Sequence, residues 1–190
     1  MNKAAPYDSF YSKLMDMSVW IYTNILRFGK YETESIIKYA AAVENSNVLD
    51  YGCNTGRHAS NVKQAYGYNV MGADINPAAI SVAQRKGIPA ELITPNFFEK
   101  YKFSFDVIIN SHVLEHVDDP KDLLVNIRGL LKEEGTFVIA IPQERIRGDI
   151  SPLQILYFLS RLKFENPHKH NFSKDQLFTL LIEAGFTPKE

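Results

Sequence analysis

Hydrophobic positions along the chain follow two alternating periods. Phe10, Leu14, Met17, Ile21, Ile25 and Phe28 recur every three or four residues, which predicts an amphipathic helix over about residues 9–28. A second helix is expected over about Thr33–Val43. Short apolar, β-rich runs then appear at 48–51, 69–73, 90–94, 105–109 and 135–141, each separated from the next by a helical pattern or a loop. Strands that alternate with helices need crossover connections, so the expected fold is α/β: a mainly parallel sheet with helices on both faces. Ligands in such sheets bind outside the carboxyl ends of the strands, where the strand order reverses.

Boundary signals sharpen the helices. Asp119 is placed to cap a helix with Pro120 at its first position and Asp122 in its first turn, ahead of Leu123, Ile127 and Leu130 on one face. Ser173 and Gln176 have the capping-box spacing before Leu177, Leu180 and Leu181, and Gly185 ends that helix. Between these, Ser151-Pro152 opens another apolar helical pattern through Leu153, Leu156, Leu159 and Leu162.

Composition narrows the class. At 190 residues, with 45% hydrophobic and 23% charged residues, the chain suits one globular domain. A formal net charge of -1 offers no general attraction to nucleic acid, so no nucleic-acid partner is expected. Cys53 is the only cysteine, which excludes an intrachain disulfide and an all-cysteine zinc site. Asp8, Lys13 and Asp16 interrupt the N-terminal region, so neither a signal peptide nor membrane insertion is expected, and the expected location is cytoplasmic.

The run Val48-Leu49-Asp50-Tyr51-Gly52-Cys53-Asn54-Thr55-Gly56-Arg57-His58-Ala59 joins a buried strand to a helix through a glycine turn, the form of a nucleotide-cofactor loop. A dinucleotide loop needs G-x-G-x-x-G, which these residues do not supply. Asp50 through Gly56 instead resembles the first motif of class I S-adenosylmethionine-dependent methyltransferases, with Asn54 at the middle glycine position. Asn tolerates a positive φ better than most residues. Asp74, in Gly72-Ala73-Asp74-Ile75-Asn76-Pro77, and the run from Phe105 through His112-Val113-Leu114-Glu115-His116-Val117-Asp118-Asp119-Pro120 resemble later motifs of the small-molecule branch of that family, in order. The likeness continues through Leu130–Pro142 and reaches from about Val48 to Phe186.

That resemblance implies a Rossmann-like, doubly wound fold and S-adenosylmethionine as cofactor, leaving S-adenosylhomocysteine. It implies that the loop of Asp50, Gly52, Cys53, Asn54 and Gly56 wraps the methionine and ribose part, with Asp50 organising the amino group. Asp74 would accept the ribose hydroxyls; Asn96 would meet the adenine amino group; Ile75 or Phe97 would pack on the ring; Asn110 and Ser111 would complete the site. A competing account makes Asp74 only the cap of the helix that starts at Pro77. Cys53 reads as a small packing residue, not a nucleophile. The spacing of His112, Glu115 and His116 also occurs in some zinc peptidases, but a buried strand before it and Asp118-Asp119-Pro120 after it leave barely a turn of helix, so no metal is expected. His116 is expected to hydrogen-bond into its loop, and His112, beside the methyl donor, to act as a neutral base.

The expected division is a single methyltransferase domain: an N-terminal helical cap (1–45), a cofactor-binding core (46–142), a substrate-cover segment (143–172), then a last helix and the start of a sixth strand (173–190). Arg145, Arg147, Arg161, Lys163, His168, Lys169 and His170 lie among Tyr157, Phe158 and Phe164. They suit an anionic or sugar-linked small-molecule acceptor, with a solvated basic rim as the alternative. His168 and His170 are alternative bases. The expected reaction is methyl transfer to an O, N or C atom of a small molecule such as a glycan, natural-product or quinone precursor. The alternatives are a catalytically inactive cofactor-fold interaction module and an NAD-dependent oxidoreductase. Strands 6 and 7 of the family appear truncated, and the resulting sheet edge leads us to expect a homodimer.

Overall fold

The computed structural model describes residues 17, 28–41, 45–141 and 169–189. Apart from Met17 and Phe28, the expected helix at 9–28 lies outside these residues, as do the helical pattern at 153–162 and the basic segment up to His168. The described elements are α1 (Phe28–Tyr39), β1 (Asn47–Tyr51), α2 (Arg57–Tyr66), β2 (Asn69–Asp74), α3 (Pro77–Arg85), β3 (Ala90–Leu92), α4 (Pro95–Lys100), β4 (Phe105–Ser111), a 3-10 turn (Leu114–His116), α5 (Pro120–Leu130), β5 (Leu131–Ala140) and α6 (Lys174–Glu183).

The five strands are all parallel, in the order β3-β2-β1-β4-β5. The chain builds outward from β1 to β3, then returns to lay β4 on the other side of β1. The order therefore reverses between β1 and β4, whose register pairs Asp50 with Ile109. This Rossmann-like arrangement leaves a crevice at the carboxyl ends of those two strands.

Period-two alternation divides the core. Leu49 and Ile108 face one layer, packed by Leu124, Ile127 and Leu130 of α5 and by Leu177 and Leu181 of α6. Val48, Val107 and Ile109 face the other, under Ile36 and Ala40 beside α2's Ala59 and Val62. Burial on both faces explains why β1 and β4 read as nearly continuous apolar runs. Two polar residues interrupt those runs near their carboxyl ends. Asp50 is 1% exposed and Asn110 0%.

The caps form as their sequence signals require. Asp119 accepts from Asp122 N at 3.0 Å, and Ser173 and Gln176 make the reciprocal capping bonds. Strand β5 starts four residues before the expected 135. Its register jumps from Phe105↔Leu131 to Val107↔Thr136, so the apolar run at 135–141 marks only the part beyond the irregularity. Gly135 sits in that crowded stretch, where a Cβ would lie 2.8 Å from Leu131 Cδ2 and 3.1 Å from Lys132 O.

Close packing between β2 and the loop after β1 yields a test. A Cβ on Gly72 would stand 2.6 Å from Cys53 Sγ. Gly72→Ala is expected to lower unfolding free energy by ~1–3 kcal/mol in urea titrations, with part of that loss recovered by adding Cys53→Ala.

Candidate functional site

The loop leaving β1 turns on alternate left-handed residues: Gly52, Asn54 and Gly56 have φ of 78°, 47° and 79°. Gly52 N and Cys53 N both donate to Ala73 O, at 2.7 and 3.0 Å, which straps the loop to β2. A side chain at Gly52 would collide with Val113 Cγ2, so a glycine is needed there for space as well as for its dihedral. Asp74 completes the brace. One of its oxygens accepts from Asn54 N at 2.8 Å and the other from Asn76 N at 2.8 Å. The cap of α3 is Asn76, which accepts from Ala78 N, so Asp74 is not that cap.

Asp50 points away from this loop. Its Oδ2 accepts from Ala59 N at 2.9 Å, filling a donor in the first turn of α2 with the protein's own carboxylate. Burial pushes its pKa up to about 7, against the hydrogen bond from Ala59 and the charge of Arg57. Burial also raises Asp74, despite its backbone hydrogen bonds. A dinucleotide pyrophosphate would need the position at the helix start that Asp50 occupies and would meet two carboxylates. The loop's electrostatics therefore suit a cationic ligand.

Several expected site residues lie nearby, and one does not. Cys53 is buried against Gly72, and burial drives its thiol acidity down, as suits a packing residue. Ile75 is 67% exposed beside the loop, an apolar side chain free to cover a ring. Asn96 is exposed on α4. Phe97 is a correction: it is 2% exposed and packs against Phe98 and Tyr101 in the core, on the face of α4 that rolls onto the sheet's hydrophobic cluster. Asn110 Nδ2 donates to Tyr51 O at 3.3 Å and ties β4 to β1, while its buried Oδ1 meets no protein donor.

At the end of β4, His112 has φ 56° and its N–H donates to Ala140 O at 2.9 Å. Its Nε2 lies 3.2 Å from Glu32 Oε1, and its Nδ1 lies 3.5 Å from Glu115 Oε1. Burial disfavours the charged ring, but Glu115 and Glu32 outweigh it and push the pKa up to about 9. His112 is therefore an imidazolium at neutral pH, which corrects its expected role as a neutral base. Ser111 Oγ donates to the same Glu32 oxygen at 3.1 Å. Glu32 and Glu115 went unassigned in the sequence reading; the run Leu114-Glu115-His116 marks one, and no local pattern marks the other. The Nε2 of His116 lies 3.9 Å from Glu115. Among the described residues, no group of three or more His, Cys, Asp or Glu is placed to hold a metal ion, and no helix is long and apolar enough to cross a membrane.

The family model of a methyltransferase domain matches residues 25–190. The chain belongs to the S-adenosylmethionine-dependent methyltransferase family. Among curated relatives of this methyltransferase, the ubiquinone biosynthesis O-methyltransferases of Roseobacter denitrificans and Cereibacter sphaeroides are 29% and 30% identical, each over 74% of this chain. The chain spans 60% of the length of each. In fold it resembles Haemonchus contortus phosphoethanolamine N-methyltransferase 2, solved with phosphomonomethylethanolamine and S-adenosylhomocysteine. That match has a TM-score of 0.67 at 19% identity, over 95% of this chain and 42% of the other. It also resembles a chain from the complex of the Haloferax volcanii Trm112 methyltransferase activator with a methyltransferase, with a TM-score of 0.67 at 16% identity, over 93% and 73%.

The buried acid Asp50 gives a pH test. Because Asp50's folded pKa is raised from 3.8 to about 7, its contribution is favourable at low pH and is lost as pH rises between those values. The stability of Asp50→Asn relative to the native protein should therefore rise by ~2–3 kcal/mol between pH 5 and pH 8, as measured by urea unfolding.

Proposed function

We propose that this domain transfers a methyl group from S-adenosylmethionine to an oxygen of a small acceptor, the reaction type named in its ubiquinone biosynthesis relatives. The carrying observation is the left-handed loop at the strand reversal, braced by Asp74 and bordered by carboxylates. S-adenosylmethionine is a net cation, which the half-exposed Asp74 carboxylate complements, and an anionic dinucleotide is not.

In this reading, the backbone of Gly52, Cys53, Asn54 and Gly56 borders the methionine part. Each Asp74 oxygen takes one backbone N–H and keeps a lone pair for a ribose hydroxyl. Ile75 covers the adenine, and Asn96 meets its amino group. The Asn110 Oδ1, buried without a protein donor, receives the ammonium group, because an orphaned buried acceptor is costly until filled. Asp50 acts as a positioning residue by fixing the first turn of α2 beneath the loop. The cofactor supplies an electrophilic methyl group on a sulfonium and leaves as a neutral thioether. The protein contributes alignment of the acceptor with that methyl group and exclusion of water.

Calorimetry with S-adenosylhomocysteine, followed by mass spectrometry of methyl transfer to catechols and hydroxylated quinone precursors, tests this function. Methylated product supports it; donor binding without product across the panel favours an interaction module; absence of binding at millimolar ligand sinks it. Asp74→Ala should weaken S-adenosylhomocysteine by ~1–3 kcal/mol, and Asp74→Asn, which keeps one carbonyl acceptor, by less. Unchanged affinity in the folded Ala variant would remove Asp74 from the ribose site.

A further inference from the structure

The hydroxyl of Ser111 and Nε2 of His112, from consecutive residues at the end of β4, converge on one oxygen. It is Oε1 of Glu32, at 3.1 and 3.2 Å. That oxygen comes from α1, a separate element. The His112 donor has contacts of its own besides Glu32. His112's backbone is fixed by its bond to Ala140 O, and its Nδ1 lies 3.5 Å from the carboxylate of Glu115, which is 1% exposed. Such an arrangement is a preorganised pair of donors with a carboxylate already seated on it.

We propose that Ser111 and His112 form an oxyanion subsite, filled here by the Glu32 carboxylate, that takes a carboxylate or phenolate oxygen of the acceptor in its place. That the incoming group belongs to the acceptor rests on the methyltransferase reading; the anion site itself does not. The groups facing His112 fit this role. Glu32 comes from α1, Glu115 and His116 from its own turn, and His58 from α2. His58 does not compete as a cation, because burial and then Arg57 press its pKa down to about 3. Arg57 is engaged with His58 Nε2 and Thr33 Oγ1.

The seated carboxylate has a kinetic consequence. Glu32 is tethered, so it competes intramolecularly with any free anion. A free small anion is therefore poorly held, whereas an acceptor that also packs against the donor displaces Glu32. The imidazolium donates to the incoming oxygen and takes no proton from it, so the subsite selects an oxygen that is already ionised.

The test removes the internal anion and offers external ones. In Glu32→Ala, the titration midpoint of His112, followed through its Cε1–H resonance in the full chain, should fall by about 1–2 pH units. Sodium acetate or 4-nitrophenolate should raise it again, and methylammonium chloride at matched ionic strength should not. Recovery with acetate alone assigns a carboxylate, and with 4-nitrophenolate alone a phenolate. A midpoint unmoved by the substitution, or moved but unresponsive to both anions, overturns the subsite. Glu32→Gln, which keeps the side chain's size, should show the same fall if Glu32→Ala does not fold. S-adenosylhomocysteine calorimetry on the same samples separates the two readings. Anion response without cofactor binding removes only the methyltransferase, and cofactor binding without anion response removes only the subsite.

Discussion

The Asp74 carboxylate bridges Asn54 N and Asn76 N, and the shape of the strand-end crevice depends on that bridge. Asn54 is a non-glycine residue in the left-handed region, a conformation that persists only where surrounding contacts hold it. The bridge holds it from one side while Ala73 O holds Gly52 and Cys53 from the other. The same carboxylate fixes the chain ahead of α3, so it ties the β1 loop and the β2 loop into one unit.

Charge is distributed around that unit by function of burial. Asp50 is deep, accepts from Ala59 N, and has its pKa pushed up to about 7 by burial. Asp74 is partly exposed and retains hydrogen-bonding capacity. Carboxylates at the start of a helix are stabilised by its unpaired N–H groups, which lets the fold keep negative charge where a dinucleotide-binding relative of this architecture keeps a phosphate. At the end of β4, His112 lies between the carboxylates of Glu32 and Glu115, which hold its ring in the charged form.

Local chemistry made much of this legible. The doubly wound order follows from alternating strands and helices, the caps at Asp119 and Ser173 follow from side-chain reach, and the left-handed Asn54 follows from the turn it must complete. Phe97 was misread because exposure of a residue in a six-residue helix depends on which way that helix rolls onto the core, and Pro95 only marks its start. The early start of β5 was hidden because the irregularity beside Gly135 breaks the period-two pattern there.

The sequence by itself determined the architecture and the glycine turn after β1, since these depend on contacts between residues close in the chain or on a period repeated along it. Only the tertiary structure decided what Asp50, Asp74 and His112 do. Asp50 became a buried brace because α2 folds back onto β1, and His112 became a cation because α1 brings Glu32 to Ser111, 79 positions further along the chain, and to His112 beside it. A protonation state is a property of the space around a group, and that space is assembled from segments whose meeting no local pattern records.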